Sequence, residues 1–305
     1  MKSLAVKILL AVAVLILLAL TLMPKVIGAG IERATIDNML ALIPPEAESQ
    51  FEIRRNEFNG GWFSSSTTIE FIYTPIGAEA TALTMDFDID HGPLLQTDDG
   101  LSIGLAYAVI QPSIRNDLFD IAIADLPFPL PDITLKLLAR FDQSMWVNMN
   151  VSALNFSEAA RELNFSGLDA NLDVASDQSV NFSIQMGELS ATENAGNFNV
   201  LISGMTLTSS TTQINDILAE SRATLAIPVV SSTLPLPFSV SGIGIDYGLQ
   251  ASPGKENFSE IYQTIQLASI QSEIPVSSFS WLSEIKQVNN ELLRDYYRLL
   301  SEVQN

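Results

Sequence analysis

The feature that most constrains this chain is its period. From Phe51 onward apolar residues recur at every second position in stretch after stretch, which is the geometry of a β-strand with one wet face. Ile69, Phe71 and Tyr73 share one side of the first such stretch, and Ser66, Thr68 and Glu70 take the other. In the next, Leu83, Met85, Phe87 and Ile89 alternate with Thr84, Asp86, Asp88 and Asp90. Further alternating runs fall at 101–109, 133–141, 147–151, 168–174 and 180–186. Strands solvated on one face belong to antiparallel sheets, so the predicted fold is mainly β. It is an extended, curved antiparallel sheet, closed as a sandwich or left as an open groove. The curvature is read from the apolar phase, which slips by one residue at Gly204 and again at Gly242 as a bulge or glycine kink would make it do.

Both ends depart from this period. Lys2 and Lys7 precede an uncharged apolar run from Ile8 to Met23. Counted from Leu4 it gives roughly twenty residues, or about 30 Å of helix, enough to cross a bilayer. Ile27 is bulky where a signal peptidase wants a small residue, so the segment is expected to stay attached as a single-pass anchor. The positive charge ahead of it places the body outside the cytoplasm. Residues 1–30 are thus read as a membrane anchor, 31–50 as a juxtamembrane helix and linker ending at Pro44 and Pro45, and 51–252 as a β-rich periplasmic body. Residues 253–305 are predicted to be helical. Phe258, Ile261, Ile265 and Ala268 suggest a short helix, and Trp281, Ile285, Val288, Leu292, Tyr296, Leu299 and Val303 form the stripe of an amphipathic one.

Composition excludes several classes. The net charge of −20, with 15 basic residues against 35 acidic, argues against nucleic acid, whose binding depends on Lys and Arg neutralising phosphates. The chain has no cysteine, which removes disulfides, thiolate metal sites, thiol nucleophiles and a lipidated amino terminus. Asn-x-Ser sequons start at Asn150, Asn155, Asn164, Asn181 and Asn257, and are read as a product of Asn/Ser-rich composition.

One stretch carries motifs. Phe58, then Gly61-Trp62-Phe63-Ser64-Ser65, and after two strands His91-Gly92-Pro93, resemble the signature of the YdgA-type bacterial envelope proteins, a family without an assigned activity. The resemblance implies a membrane anchor and a periplasmic body, and it supplies no catalytic residues. His91 is the sole histidine, and as a base it would need Asp88 or Asp90 to orient it and Ser64 or Ser65 as nucleophile. The reading adopted is structural: Gly61, Trp62, Phe63, Ser64, Ser65, His91, Gly92 and Pro93 shape and close a strand pair, with Gly92 supplying unusual backbone angles. Asp86, Asp88 and Asp90 resemble the start of a calcium loop, but His91 stands where the sixth-position glycine belongs. No metal, cofactor or catalytic residue is assigned, and no enzyme is expected.

Two functions fit. In the first, the continuous apolar face, Phe87 included, binds lipid or another hydrophobic envelope component. In the second, that face is only a core, and the chain is a scaffold or interaction module of the envelope, with a homodimer or an envelope protein as partner. The inner membrane is a partner in either case.

Overall fold

In a computed structural model of the chain, the residues described are 23–25, 27, 51–74, 81–98, 100–115, 130–158, 160–193, 198–213, 219–233, 237–255, 257–273, 275–292, 295 and 299. The fold is mainly β and antiparallel, with helix confined to a few described residues near either end. No helix among the described residues is long and apolar enough to cross a membrane. The expected anchor before Met23 and the juxtamembrane helix lie outside the described residues.

The chain divides into two compact units. Unit 1 comprises Met1–Pro127 and Ile133–Val147; unit 2 comprises Phe128–Asp132 and Asn148–Asn305. Unit 1 is a ladder in the order β1 (Phe51–Gly60), β2 (Ser64–Tyr73), β3 (Thr81–His91), β6 (Ala106–Arg115), β7 (Ile133–Ala139). A separate hairpin, β4 (Leu94–Thr97) with β5 (Gly100–Ile103), extends from the ends of β3 and β6. The alternation read from sequence places Ile69 opposite Met85 and Thr67 opposite Phe87, so these side chains fall on one face. There Ile69, Phe87, Ile89, Ala106 and Ala108 make a buried cluster. On the other face Leu95, from the hairpin, closes over Tyr107 and Leu138.

The expected run 101–109 is not one strand. It breaks at Gly104, where an added Cβ would stand 2.8 Å from the Ala139 carbonyl oxygen. Leu101 and Ile103 end up 70% and 71% exposed, whereas Tyr107 is 5% exposed.

Unit 2 holds the later part of β8 (Met145–Val151) and β9 (Leu154–Glu158), β10 (Arg161–Phe165), β11 (Leu168–Val174), β12 (Val180–Met186), β13 (Leu189–Glu193), β14 (Phe198–Ile202), β15 (Met205–Gln213), β16 (Ala219–Ser232), β17 (Phe238–Ala251), β18 (Phe258–Leu267), β19 (Ser269–Gln271) and β20 (Phe279–Asn289). One crease crosses these strands. It interrupts the chain at Ser152–Ala153, Ser166–Gly167, Gly187–Glu188, Ser203–Gly204 and Ala268, and passes through β16 at Pro228 and β17 at Gly242. Neighbouring interruptions bond to each other: Gly187 N–H donates to the Gly167 carbonyl at 2.9 Å, and Ala268 N–H to that of Ser241 at 2.8 Å. The two phase slips read from sequence are real, with Gly204 at φ +118° and Gly242 at φ +60°.

The predicted carboxy-terminal helices are corrected. Phe258–Leu267 is strand β18, and Phe279–Asn289, which includes Trp281 and Ile285, is strand β20 paired to β18 in antiparallel register. Spacings of three and four among Trp281, Ile285 and Val288 coincide with a two-residue period interrupted by a bulge. The register shift between Ser259 and Ile261 is that bulge, and Gln287 there has φ +60°. The Asn289 side-chain oxygen accepts from the N–H groups of Glu291 and Leu292, an N-cap at the point where the described helical residues begin.

Candidate functional site

The signature residues come together at one end of unit 1. The β1–β2 turn is tied by Gly61 N–H donating to the Ser64 carbonyl at 2.8 Å, and β3 is tied to that turn by His91 N–H donating to the Phe63 carbonyl at 2.7 Å. Gly92 N–H donates to the Leu105 carbonyl at 2.7 Å, and Gly104 N–H to that of Pro93 at 3.1 Å. Gly92 is needed for space, not for a left-handed angle: a Cβ there would stand 1.7 Å from the Gly104 oxygen. That corrects the expectation of unusual backbone angles. The Gly92–Pro93 peptide is cis.

Inside this end His91 is 2% exposed and Ser65 5% exposed, with Ser65 Oγ 2.9 Å from His91 Nε2. The sequence pairing of Ser65 with His91 is therefore present. The third member of a triad is not. Asp88 and Asp90 point to the face opposite His91 because neighbours on a strand alternate, and among the described residues no carboxylate bonds to His91 Nδ1, so the backbone carbonyls of Trp62 and Pro24 act on the ring from outside good hydrogen-bond geometry. Burial lowers the His91 pKa below its ordinary value. The carbonyls of Trp62 and Pro24 and the Asp90 carboxylate pull it back up, and the Lys25 ammonium lowers it further. Burial likewise raises the Asp90 carboxyl, against His91, with Asp88 adding to the rise. A cleft of about 690 Å³ beside the pair is lined by Phe58, Gly61, Ser64, Ser65, Asp88 and Asp90, among others. Thr68 Oγ1 donates to Asp86 at 2.6 Å. No group of three or more His, Asp or Glu among the described residues is arranged to hold a metal.

Within the signature Trp62 is 49% exposed and Phe63 56%, at the same end as Leu94, Leu101 and Ile103. The register of the hairpin places Leu94 opposite Ile103 and Gln96 opposite Leu101, so these four share its outer face.

Unit 2 contributes a different candidate. Ala170, Ile184, Leu207, Leu225, Ile245, Ile265 and Trp281 are consecutive cross-strand partners, an unbroken apolar row over seven strands. The row beside it runs Leu172, Phe182, Ser209, Ala223, Tyr247, Gln263 and Ser283. Of the first row only Ala170 is buried; the aliphatic members are half-buried and Trp281 is 46% exposed. The reverse face carries Asn171, Ser183, Thr208, Thr224, Asp246 and Thr264 in register, and Thr224 Oγ1 donates to Asp246 at 3.0 Å. A cleft of about 420 Å³ lies on that polar side, bordered by Asn171, Asp173, Asn181 and Arg222, so it does not coincide with the apolar row.

The chain matches, over residues 1–305, the family described as "Bacterial protein of unknown function (DUF945)". It is a DUF945 protein. No curated protein matches it, and no solved structure does. In this DUF945 chain the sequence reading found the signature cluster but missed the apolar row, because each strand announces only its own alternation and cross-strand register is set by turns many residues apart. Two turns, one between β7 and β8 and the other between β11 and β12, share a legible signal. Asp142-Gln143-Ser144 and Asp177-Gln178-Ser179 fold alike, the serine N–H and O–H both donating to the aspartate, which holds each carboxyl below its ordinary pKa.

Proposed function

We propose that this protein is anchored by its amino-terminal apolar run in the bacterial inner membrane, with its β-structure in the periplasm, and that the apolar row of unit 2 binds acyl chains of lipid or a similar hydrophobic envelope component. The resemblance to the YdgA-type envelope proteins and the uncharged run from Ile8 to Met23 support the location. The observation that carries the binding reading is the row from Ala170 to Trp281, apolar across seven strands and only half-buried from Ile184 to Ile265. Burying an apolar side chain stabilises by roughly 1.5–3 kcal/mol only when it leaves water, so a face of this length kept half-wet is a standing attraction for an apolar ligand. The signature residues serve structure in this reading, holding the β1–β2 turn to the β3–β4 junction, and no residue is assigned a catalytic role.

Phe87 is not part of the binding face. It is 6% exposed in the packed cluster of unit 1, so a charge there would report unfolding. The test is mass spectrometry of lipid extracted from the purified protein, compared with Ile245→Asp at the centre of the row. Lipid carried by the parent and lost from a folded Ile245→Asp variant supports the proposal; a parent free of lipid refutes it.

A second reading, an interaction module without ligand, is favoured by β20. Among the described residues β20 has a register with β18 on one side, and Phe279, Trp281, Leu282 and Ile285 are exposed on its two faces. An apolar strand with an open edge is a template for another strand, here from a second copy of the chain. Sedimentation equilibrium of Trp281→Lys against the parent tests it: dimer in the parent and monomer in the variant support this reading, and a monomeric parent ends it.

A further inference from the structure

Unit 1 has an apolar end that the acyl-chain reading does not use. Trp62 and Phe63 in the β1–β2 turn, and Leu94, Leu101 and Ile103 on the outer face of the β4–β5 hairpin, are between 49% and 71% exposed. This is not a core face left thin, because the hairpin's inner residue Leu95 is fully buried in the same element. Among the described residues of its two strands the outer face carries no charge; its remaining member is Gln96. Asp98, at the hairpin tip, is paired with Lys136.

The position of the amino-terminal segment identifies what meets this end. Pro24 is fully buried, its carbonyl bears on His91, and Lys25 lies close enough to act on the same ring. His91 N–H is bonded to Phe63, and Leu94 follows three residues after His91. The uncharged run that ends at Met23 therefore stops beside the exposed aromatic turn and the hairpin. We propose that Trp62, Phe63 and the outer face of the β4–β5 hairpin lie in the headgroup layer of the bilayer, docking unit 1 flat on the membrane beside its own anchor. This rests on the anchor reading above. Tryptophan and phenylalanine flanked by long aliphatic side chains suit that layer, where apolar faces sink roughly 5–10 Å to the headgroup–acyl boundary. Tethering also makes a weak contact sufficient, because the anchor holds the patch at high effective concentration against the lipid. Docking by apolar contact agrees with a chain of net charge −20, which has no electrostatic attraction to anionic lipid.

The test uses the full chain in phosphatidylcholine vesicles, with Trp146→Phe and Trp281→Phe so that Trp62 is the sole tryptophan. In vesicles with brominated acyl chains Trp62 emission is expected to fall about twofold against unbrominated ones, as contact at the headgroup–acyl boundary requires. Adding Leu101→Asp and Ile103→Asp should restore the emission while the chain still floats with the vesicles. A chain that floats but shows equal Trp62 emission in both lipids overturns docking and leaves the anchor standing. Equal emission in both lipids with Trp62 shielded from aqueous iodide only at high protein-to-lipid ratio also overturns it, in favour of a second copy on the patch. A chain that does not float overturns the anchor reading and this inference with it. Should the double variant lose its fold by circular dichroism, the bromine effect on the parent still decides.

Discussion

The two units use the same alternating strands to different ends. In unit 1 both faces are sealed: Ile69 is fully buried on one, with Phe87 and Ile89 6% exposed beside it, and Leu95 is fully buried on the other. In unit 2 the apolar face is half-wet, and Ala170 is its one buried apolar residue among those described. The difference does not lie in hydrophobicity. Leu207, Leu225, Ile245 and Ile265 are as apolar as the core of unit 1, and each sits directly opposite the next. Burial depends on what lies over the face, which alternation does not encode.

The sharpest way to break the comparison is to remove equivalent side chains. Ile69→Ala leaves a cavity in a packed cluster and is expected to cost about 3–5 kcal/mol, whereas Ile245→Ala on a half-wet face should cost about 1 kcal/mol. Urea unfolding of both variants checks this, read separately for each unit by Trp146 and Trp281 fluorescence. Equal losses would mean that the unit 2 face is covered in solution.

Next in size are the glycines. Gly92→Ala drives a Cβ onto the Gly104 carbonyl and is expected to destabilise unit 1 by about 3 kcal/mol or more. In unit 2 Gly204→Ala meets an unfavourable φ of +118° and should cost about 1–3 kcal/mol, while Gly244→Ala enters open space and should change stability by no more than about 0.5 kcal/mol. Thermal melts of the three variants rank them. A tolerated Gly92→Ala would remove the close backbone contact as the reason for a glycine there.

How much of this was legible follows from the length scale of each signal. Strand period is local, and β2, β3, β7, β8, β11 and β12 were readable from it. So were the kinks at Gly204 and Gly242, because a kink shifts the phase of the residues on either side. The alignment of those kinks into one crease was not, since it links Gly167, Gly187 and Ala268 through backbone bonds that no side chain announces. The tail failed for a related reason. Over Trp281, Ile285 and Val288 a bulged strand and a helix share the same apolar spacings, and pairing to β18 decides between them. At the site, Ser65 and His91 were named as partners, but strand parity, which turns Asp88 and Asp90 away from the imidazole, had to be applied to the register before the triad could be dismissed.

The smallest expected effect is on pH, and it again separates the units. His91 has its pKa lowered in the folded state, so between that value and its ordinary 6.5 the unfolded chain binds the extra proton. Stability from this group is complete above about 6.5 and is lost as pH falls through the window below it. Asp90 acts with the opposite sign: its raised pKa lets the folded state hold a proton that the unfolded chain has released, so it adds stability as pH falls towards 3.8. The two groups thus act with opposite signs on unit 1 as pH falls, His91 removing stability below about 6.5 and Asp90 adding it towards 3.8. Unit 2 has no histidine and should show no such loss between pH 7.5 and 5.5. His91→Gln keeps a hydrogen-bonding group near Ser65 but cannot charge in this range, so it should abolish the loss in unit 1. Melting curves of parent and variant at pH 7.5 and 5.5 measure it. If His91→Gln leaves the pH dependence of unit 1 unchanged, the buried imidazole is not its source.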